Sequence, residues 1–304
     1  MRGGRDKTAA MNDPGGVDRW TEWLLRGRDA PLTEQQRRGQ TAQLHGLRDR
    51  VLSGARIAEG DRVLDIGAGT GLLALEAARI VRTPGAVVAL DISHDALAQC
   101  RLESADAPPR RVRCVVGDAT RLPFPDDSFN VVVTRSVLIY IWDKQTAINE
   151  MRRVLRPGGR VSLFEPINAA ARLTGLDDDD VSDAISAEHR QVMETFQARS
   201  MHWEPMMNFD ERDLVRWFAT AGFEAVGLNY ELLATRLRSS ADRANQFLDM
   251  RGNPTAPTLR EAAIEALGPD AESYLDAFVA AHVDQSRRSV YAHAFLTATR
   301  GEQV

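Results

Sequence analysis

The residues best suited to chemistry begin at a bare turn. The stretch "VLDIGAGTG", residues 63 to 71, sets Gly67, Gly69 and Gly71 directly after an apolar run, where a strand would pass into a helix. Glycines there admit a ligand to backbone amides, and the helix N-terminus adds partial positive charge. A dinucleotide site asks for G-x-G-x-x-G, but position 72 is Leu72 and the spacing is G-x-G-x-G. Asp65 precedes the loop, where a carboxylate repels a pyrophosphate and attracts an ammonium, which favours a zwitterionic ligand. Asp91 ends the next apolar run, 20 residues past Gly71, suited to accept both hydroxyls of a ribose. Asp118 in "GDATRLPF" is placed for an adenine amino group, with the Ala119 amide beside it; alone, it reads equally as a turn-forming Asp. Ala68 and Ile92, next to the glycines and to Asp91, complete this candidate binding set.

These groups act together only if strands end on a common edge. From residue 61, short β-branched runs alternate with helical periodicity: "RVLDIG", a helix with Leu73, Ala77 and Ile80, "AVVALD", another helix, "RVRCVVGD", "FNVVVTRS", a helix with Ile148, Met151 and Leu155, then "GRVSLFEP". Nearly uniformly apolar strands in strand-helix units predict a doubly wound α/β domain with a parallel sheet covered on both faces. Val17, Trp20 and Leu24, and again Leu44, Leu47 and Val51, recur at i, i+3 and i+7, predicting two helices ahead of the first strand. After Pro166, Val181, Ile185, His189, Val192 and Phe196 line one helix face ahead of "MHWEPMMNF", read as an insertion over the active edge. "EAVGLNYELLATR" is a further strand, residues 238 to 287 are helical around "GNPTAPT", and "SVYAHAFLTAT", apolar on both faces, belongs inside the sheet. The expected layout is a disordered 1–16 and a single domain over 17–304. Within it lie N-terminal helices (17–60), a binding core (61–168), a lid (169–210) and a C-terminal part (211–304) with the helical insertion.

The 304 residues are 43% hydrophobic, enough for a substantial core. No apolar run reaches the roughly 20 residues of a spanning helix, and "MRGGRDKTAAMNDPGG" lacks the apolar segment of a signal peptide, so a cytoplasmic location is expected. Cys100 and Cys114 show neither metal-ligand nor redox-pair spacing and are expected to be reduced. A net charge of −5 argues against nucleic acid and anionic membranes as partners and points to a small molecule. Oligomeric state is left open.

The combined pattern resembles the class I S-adenosylmethionine-dependent methyltransferases, in their small-molecule branch. "VLDIGAGTG" matches the methionine and ribose end, Asp91 the ribose, "GDATRLPF" the adenine, and "FNVVVTRSVLIYI" with "RVLRPGGRVSLFEP" the strands framing the reacting methyl. The likeness is specific over residues 61 to 168. It implies S-adenosylmethionine as cofactor and a seven-stranded sheet of order 3-2-1-4-5-7-6 with an antiparallel last strand.

Methyl transfer needs an in-line nucleophile and often a base. The fourth strand supplies Arg135, Ser136 and Tyr140, and the fifth supplies Glu165, read either as a general base or as an acceptor for backbone amides. Arg135, costly to bury alone, is expected to meet a carboxylate, from Glu165 or from an anionic ligand. His189 is a core histidine or a proton-transfer residue, and Trp203, between His202 and Glu204, closes the pocket or packs. The acidic run 177–180 reads as a helix start facing water, ahead of the alternative that it holds Mg2+ for a diphosphate substrate, and no metal ligand is assigned. The fourth strand lacks the Asn-Pro-Pro-aromatic element that resembles amino-methylating sites, and the two cysteines lie away from the methyl group, against an arsenite methyltransferase. Secondary-metabolite O-, N- or C-methylation ranks first, a prenyl-like carbon acceptor with Glu165 as base being one version. A cofactor-binding regulator without transfer, and a nucleic-acid methyltransferase, rank behind it.

Overall fold

Each apolar β-branched run becomes a strand because its two faces can both be covered. A computed structural model of the chain describes residues 18–82, 87–106, 112–170, 185–200, 203–238, 240–283 and 286–302. The acidic run 177–180, residues 1–16, and His202 fall outside these residues. The parallel part of the sheet is β1 (Val63–Ile66), β2 (Val87–Asp91), β3 (Val112–Val116), β4 (Phe129–Arg135) and β5 (Leu155–Pro166). Two longer strands, β6 (Phe223–Arg238) and β7 (Ser286–Arg300), complete it in the order β3-β2-β1-β4-β5-β7-β6. β7 is antiparallel to both β5 and β6, as the resemblance implied, and its two apolar faces follow from its place between them.

The helices ahead of the sheet are α1 (Arg19–Glu22, continued as a wider π turn over Trp23–Gly27) and α2 (Glu34–Ala55), which opens on a capping box between Thr33 and Gln36. Crossovers are made by α3 (Ala74–Val81), α4 (His94–Asp106) and α5 (Lys144–Val154). On one face of the sheet Leu64, Val88, Val132, Leu163 and Leu296 pack with α5; on the other, Val63, Val87, Val131 and Phe295 pack with α2 and α3. Beyond β5 come α6 (Ser186–Arg199), α7 (Trp203–Met207) and α8 (Glu211–Thr220), and between β6 and β7 come α9 (Ala241–Asp249), α10 (Leu259–Leu267) and α11 (Ala271–His282). α6, α9, α10 and α11 share a separate apolar core of Val192, Leu248, Ala262, Tyr274 and Phe278.

The first helix is tied to the sheet edge by one buried carboxylate. Asp18 caps α1, Oδ1 accepting from the amides of Trp20 (2.9 Å) and Thr21 (3.0 Å), while Oδ2 accepts from Ser93 Oγ (2.5 Å) and Thr21 Oγ1 (3.1 Å). Its own amide donates to Asp95 Oδ2 at 2.9 Å. The segment thus lies across the carboxyl end of β2. Asp18→Ala removes an N-cap, a loss of about 1–2 kcal/mol. Hydrogen exchange of amides 20–28 should accelerate with the β1 and β4 amides unchanged; unaltered exchange in 20–28 would show that the anchor lies elsewhere.

Candidate functional site

The three glycines of the β1–α3 turn all take positive φ, at 68° for Gly67, 53° for Gly69 and 100° for Gly71. Their reasons for being glycine differ. A Cβ on Gly67 would lie 2.2 Å from Val137 Cγ2, and one on Gly71 would lie 2.7 Å from Cys100 Sγ. Their amides donate to Leu90 O (2.7 Å) and Ala68 O (2.8 Å). Gly67 and Gly71 are therefore bare at least because the protein packs against them. The Ala68 amide is also committed, to Leu90 O at 3.0 Å. Gly69 differs: its nearest neighbour is Leu24 Cδ1, 3.4 Å from an added Cβ, and its amide donates to Asp91 Oδ2 at 2.8 Å.

Asp65 lies beneath the turn at 1% exposure. Oδ2 accepts from the Ala74 amide at 2.9 Å, while among the described residues Oδ1 is buried with no hydrogen-bond partner. Burial pushes its pKa from 3.8 to about 8, against the lowering effect of the Ala74 amide and of Arg135. Asp91 is raised as well, by burial first, although the Ser93 and Gly69 amides hold its two oxygens. Ile92 beside it is 44% exposed, an apolar surface at the strand's end. Asp118 forms a turn: Oδ1 accepts from Thr120 N (2.7 Å) and Oγ1 (2.8 Å), and Ala119 beside it is buried.

The carboxyl end of β4 folds over at Ser136, whose φ of 55° is strained for a residue with a Cβ. That turn aims three amides at Glu165. Oε1 accepts from Val137 (2.8 Å) and Leu138 (2.9 Å), and Oε2 from Ile139 (3.1 Å). Glu165 is 0% exposed and both oxygens hold backbone amides, the arrangement expected of the amide-acceptor alternative. Burial raises its pKa to about 7 in spite of the three amides that lower it.

Arg135 does not pair with Glu165. Among the described residues its hydrogen bond is a long one, 3.4 Å to Ser136 Oγ, and burial lowers its pKa. The guanidinium stands near Asp65, Tyr140 and Arg28 as a cation with an unfilled fork. Tyr140 lies edge-on to Trp20 with ring centroids 4.9 Å apart, and burial pushes its phenol up to about 12. It stays protonated at neutral pH.

His189 packs as the core-histidine alternative expects. Its Nδ1 lies 2.7 Å from the Tyr274 hydroxyl and its ring stacks on Phe278 at 6.0 Å, half-buried against the core of the helical cluster. An apolar helix face alone does not tell which core the ring packs against. The side chains of Trp203 and Glu204 fall outside the described residues. Lys144, which sequence reading passed over, is 3% exposed and donates to Ile141 O (2.8 Å), Pro205 O (3.0 Å) and Asn208 Oδ1 (3.2 Å), pinning the end of α7 to the turn after β4. Burial lowers its pKa to about 8. Its position at the start of α5, one of two lysines among 38 basic residues, was the available signal.

A doubly wound sheet with a glycine turn, a ribose-type carboxylate and a capped β4 edge defines a methyltransferase fold. A methyltransferase-domain family model matches residues 63–159. The ubiquinone/menaquinone biosynthesis C-methyltransferase UbiE of Azotobacter vinelandii is 35% identical over 182 residues, 58% of this chain and 70% of that protein. The protein of that name from Stutzerimonas stutzeri is 44% identical over 115 residues, 38% of this chain but only 44% of its own length. The YcgJ protein of Bacillus subtilis has the same fold, with a TM-score of 0.55 at 18% identity over 85% of this chain and 100% of that one. The chain belongs to the class I S-adenosylmethionine-dependent methyltransferases, and S-adenosylmethionine is its cofactor.

Glu165→Gln leaves one acceptor oxygen and sets an amide group against a backbone N–H. It should lower stability by about 1–3 kcal/mol and reduce kcat without changing the shape of the pH profile. Wild-type stability combined with loss of one limb of that profile would restore Glu165 as a base.

Proposed function

We propose that this edge holds S-adenosylmethionine as a zwitterion and methylates a ring carbon of a small phenolic or enolic acceptor. When bound, the cofactor supplies an electrophilic methyl on a sulfonium. Asp65 receives the ammonium on its orphaned Oδ1, Arg135 the carboxylate, and Asp91 the ribose hydroxyls, with Ile92, Asp118 and Ala119 around the adenine. The observation that carries the assignment is the unpartnered, buried Oδ1 of Asp65 within the field of an unpaired guanidinium. Such a pair is costly when empty and complementary to an amino acid.

The acceptor class follows from what the residues withhold. Glu165 is occupied by amides and Tyr140 is held protonated, so β4 and β5 offer no free general base among these candidates. An electron-rich ring whose own hydroxyl ionises needs one least. Trp20 packs edge-on against Tyr140 and Leu24 lies against Gly69, so the side chains nearest the glycine turn and the β4 edge are aromatic and apolar, the kind that suits such a ring. The UbiE relatives, C-methyltransferases of ubiquinone and menaquinone biosynthesis, support the same reading. A primary quinone role is therefore favoured over secondary metabolism.

Incubation with methyl-labelled S-adenosylmethionine and a panel of hydroquinones, catechols and amines tests this. Label on a ring carbon of a hydroquinone is expected; label on oxygen or nitrogen alone would overturn the carbon assignment. Arg135→Ala and Asp91→Ala should each weaken cofactor binding roughly tenfold to hundredfold, measured by calorimetry.

A further inference from the structure

We propose that two copies of this chain join through their β6 edges, continuing the sheet across a two-fold axis. β6 is the outermost strand, with β7 as its one neighbour in the sheet over its 16 residues. Natural sheets blunt such edges with proline, lysine or repeated bulges. "FEAVGLNYELLATRLR" holds neither proline nor lysine, and its one register shift lies at the very start, between Phe223 and Ala225. Leu232 and Leu233 stand 38% and 62% exposed upon it.

The strand is complementary to itself in one register. A two-fold axis perpendicular to the sheet preserves the face of every side chain, so residue numbers of paired positions must have an even sum. Centring the axis on Tyr230 sets Glu224 opposite Arg236 of the partner subunit, at both ends. Among the described residues neither side chain has an ion-pair partner within its own chain. The same register pairs Val226 with Ala234 and Leu228 with Leu232 across the axis. Centring on Glu231 would place that carboxylate against its own copy, and centring on Asn229 would carry Arg236 beyond the strand start to Gly222.

Shape agrees with charge. Beside Gly227 lies a cleft of about 310 Å³, lined by Gly54, Arg56, Arg160, Ala225 and Thr297 on the face covered by α2. Ala225, Gly227 and Leu233 alternate onto that one face, and the register sets the exposed Leu233 of the partner subunit directly opposite Gly227. The knob of each copy thus meets the hole of the other, as an isologous interface requires.

Sedimentation velocity at micromolar concentration tests the pairing. The wild-type chain should run as a dimer and Arg236→Glu as a folded monomer with unchanged circular dichroism. The double variant Glu224→Arg, Arg236→Glu should restore the dimer, and Leu233→Ser should weaken it at least tenfold. A monomeric wild type, a dimer that survives Arg236→Glu, or a folded double variant that stays monomeric would each overturn the proposal.

Discussion

The carboxylate of Glu165 gathers three consecutive amides where water does not reach, and the reacting edge is arranged around that clamp. It fixes the turn after the strained Ser136, and the turn carries Val137 onto Gly67, Tyr140 onto Trp20 and Lys144 onto the end of α7. The glycine loop, the N-terminal helix and the helix after β5 thus all reference one buried group. Hydrogen bonds to a charged acceptor are stronger than neutral ones, yet burial still leaves Glu165 near 7. Its raised pKa gives stability that is fully present below its ordinary 4.5 and is lost as pH rises through about 7.

Asp65 imposes the same kind of constraint on the binding side. Its stabilising contribution is complete below 3.8 and lost as pH rises through about 8, so at neutral pH the empty protein keeps it largely protonated. A ligand ammonium reverses that preference. On the proposed reading, the Asp65 oxygen and the Arg135 guanidinium, neither of which has an opposite charge within ion-pair distance among the described residues, are unfavourable features that one zwitterion would offset together. The anchored first helix, with Leu24 over Gly69 and Trp20 over Tyr140, screens that exchange from water.

Much of the fold was legible because periodicity and strand composition are local signals. The alternation from β1 to β5, the interior position of β7 and the two leading helices all followed from apolar spacing. The carboxylates at the strand ends were legible for the same reason, since a strand's end fixes where its last side chain stands. What a residue meets across the fold was not. Gly67 and Gly71 owe their identity to Val137 and Cys100, which are distant in sequence. Glu165 depends on a left-handed Ser136 that no propensity announces, and His189 on a helical core that has no pattern of its own until α9 to α11 are folded beside it.

The most direct measurement is calorimetric titration of S-adenosylmethionine at pH 6.5 in two buffers of different ionisation enthalpy. The ligand's amino group is then already protonated, whereas Asp65, at about 8, must give up its proton to meet it. Binding by the wild type should release close to one proton more than binding by Asp65→Asn. Equal proton release in both proteins would contradict the placement of the ammonium on Asp65, and with it the reading of this edge as a zwitterion cradle.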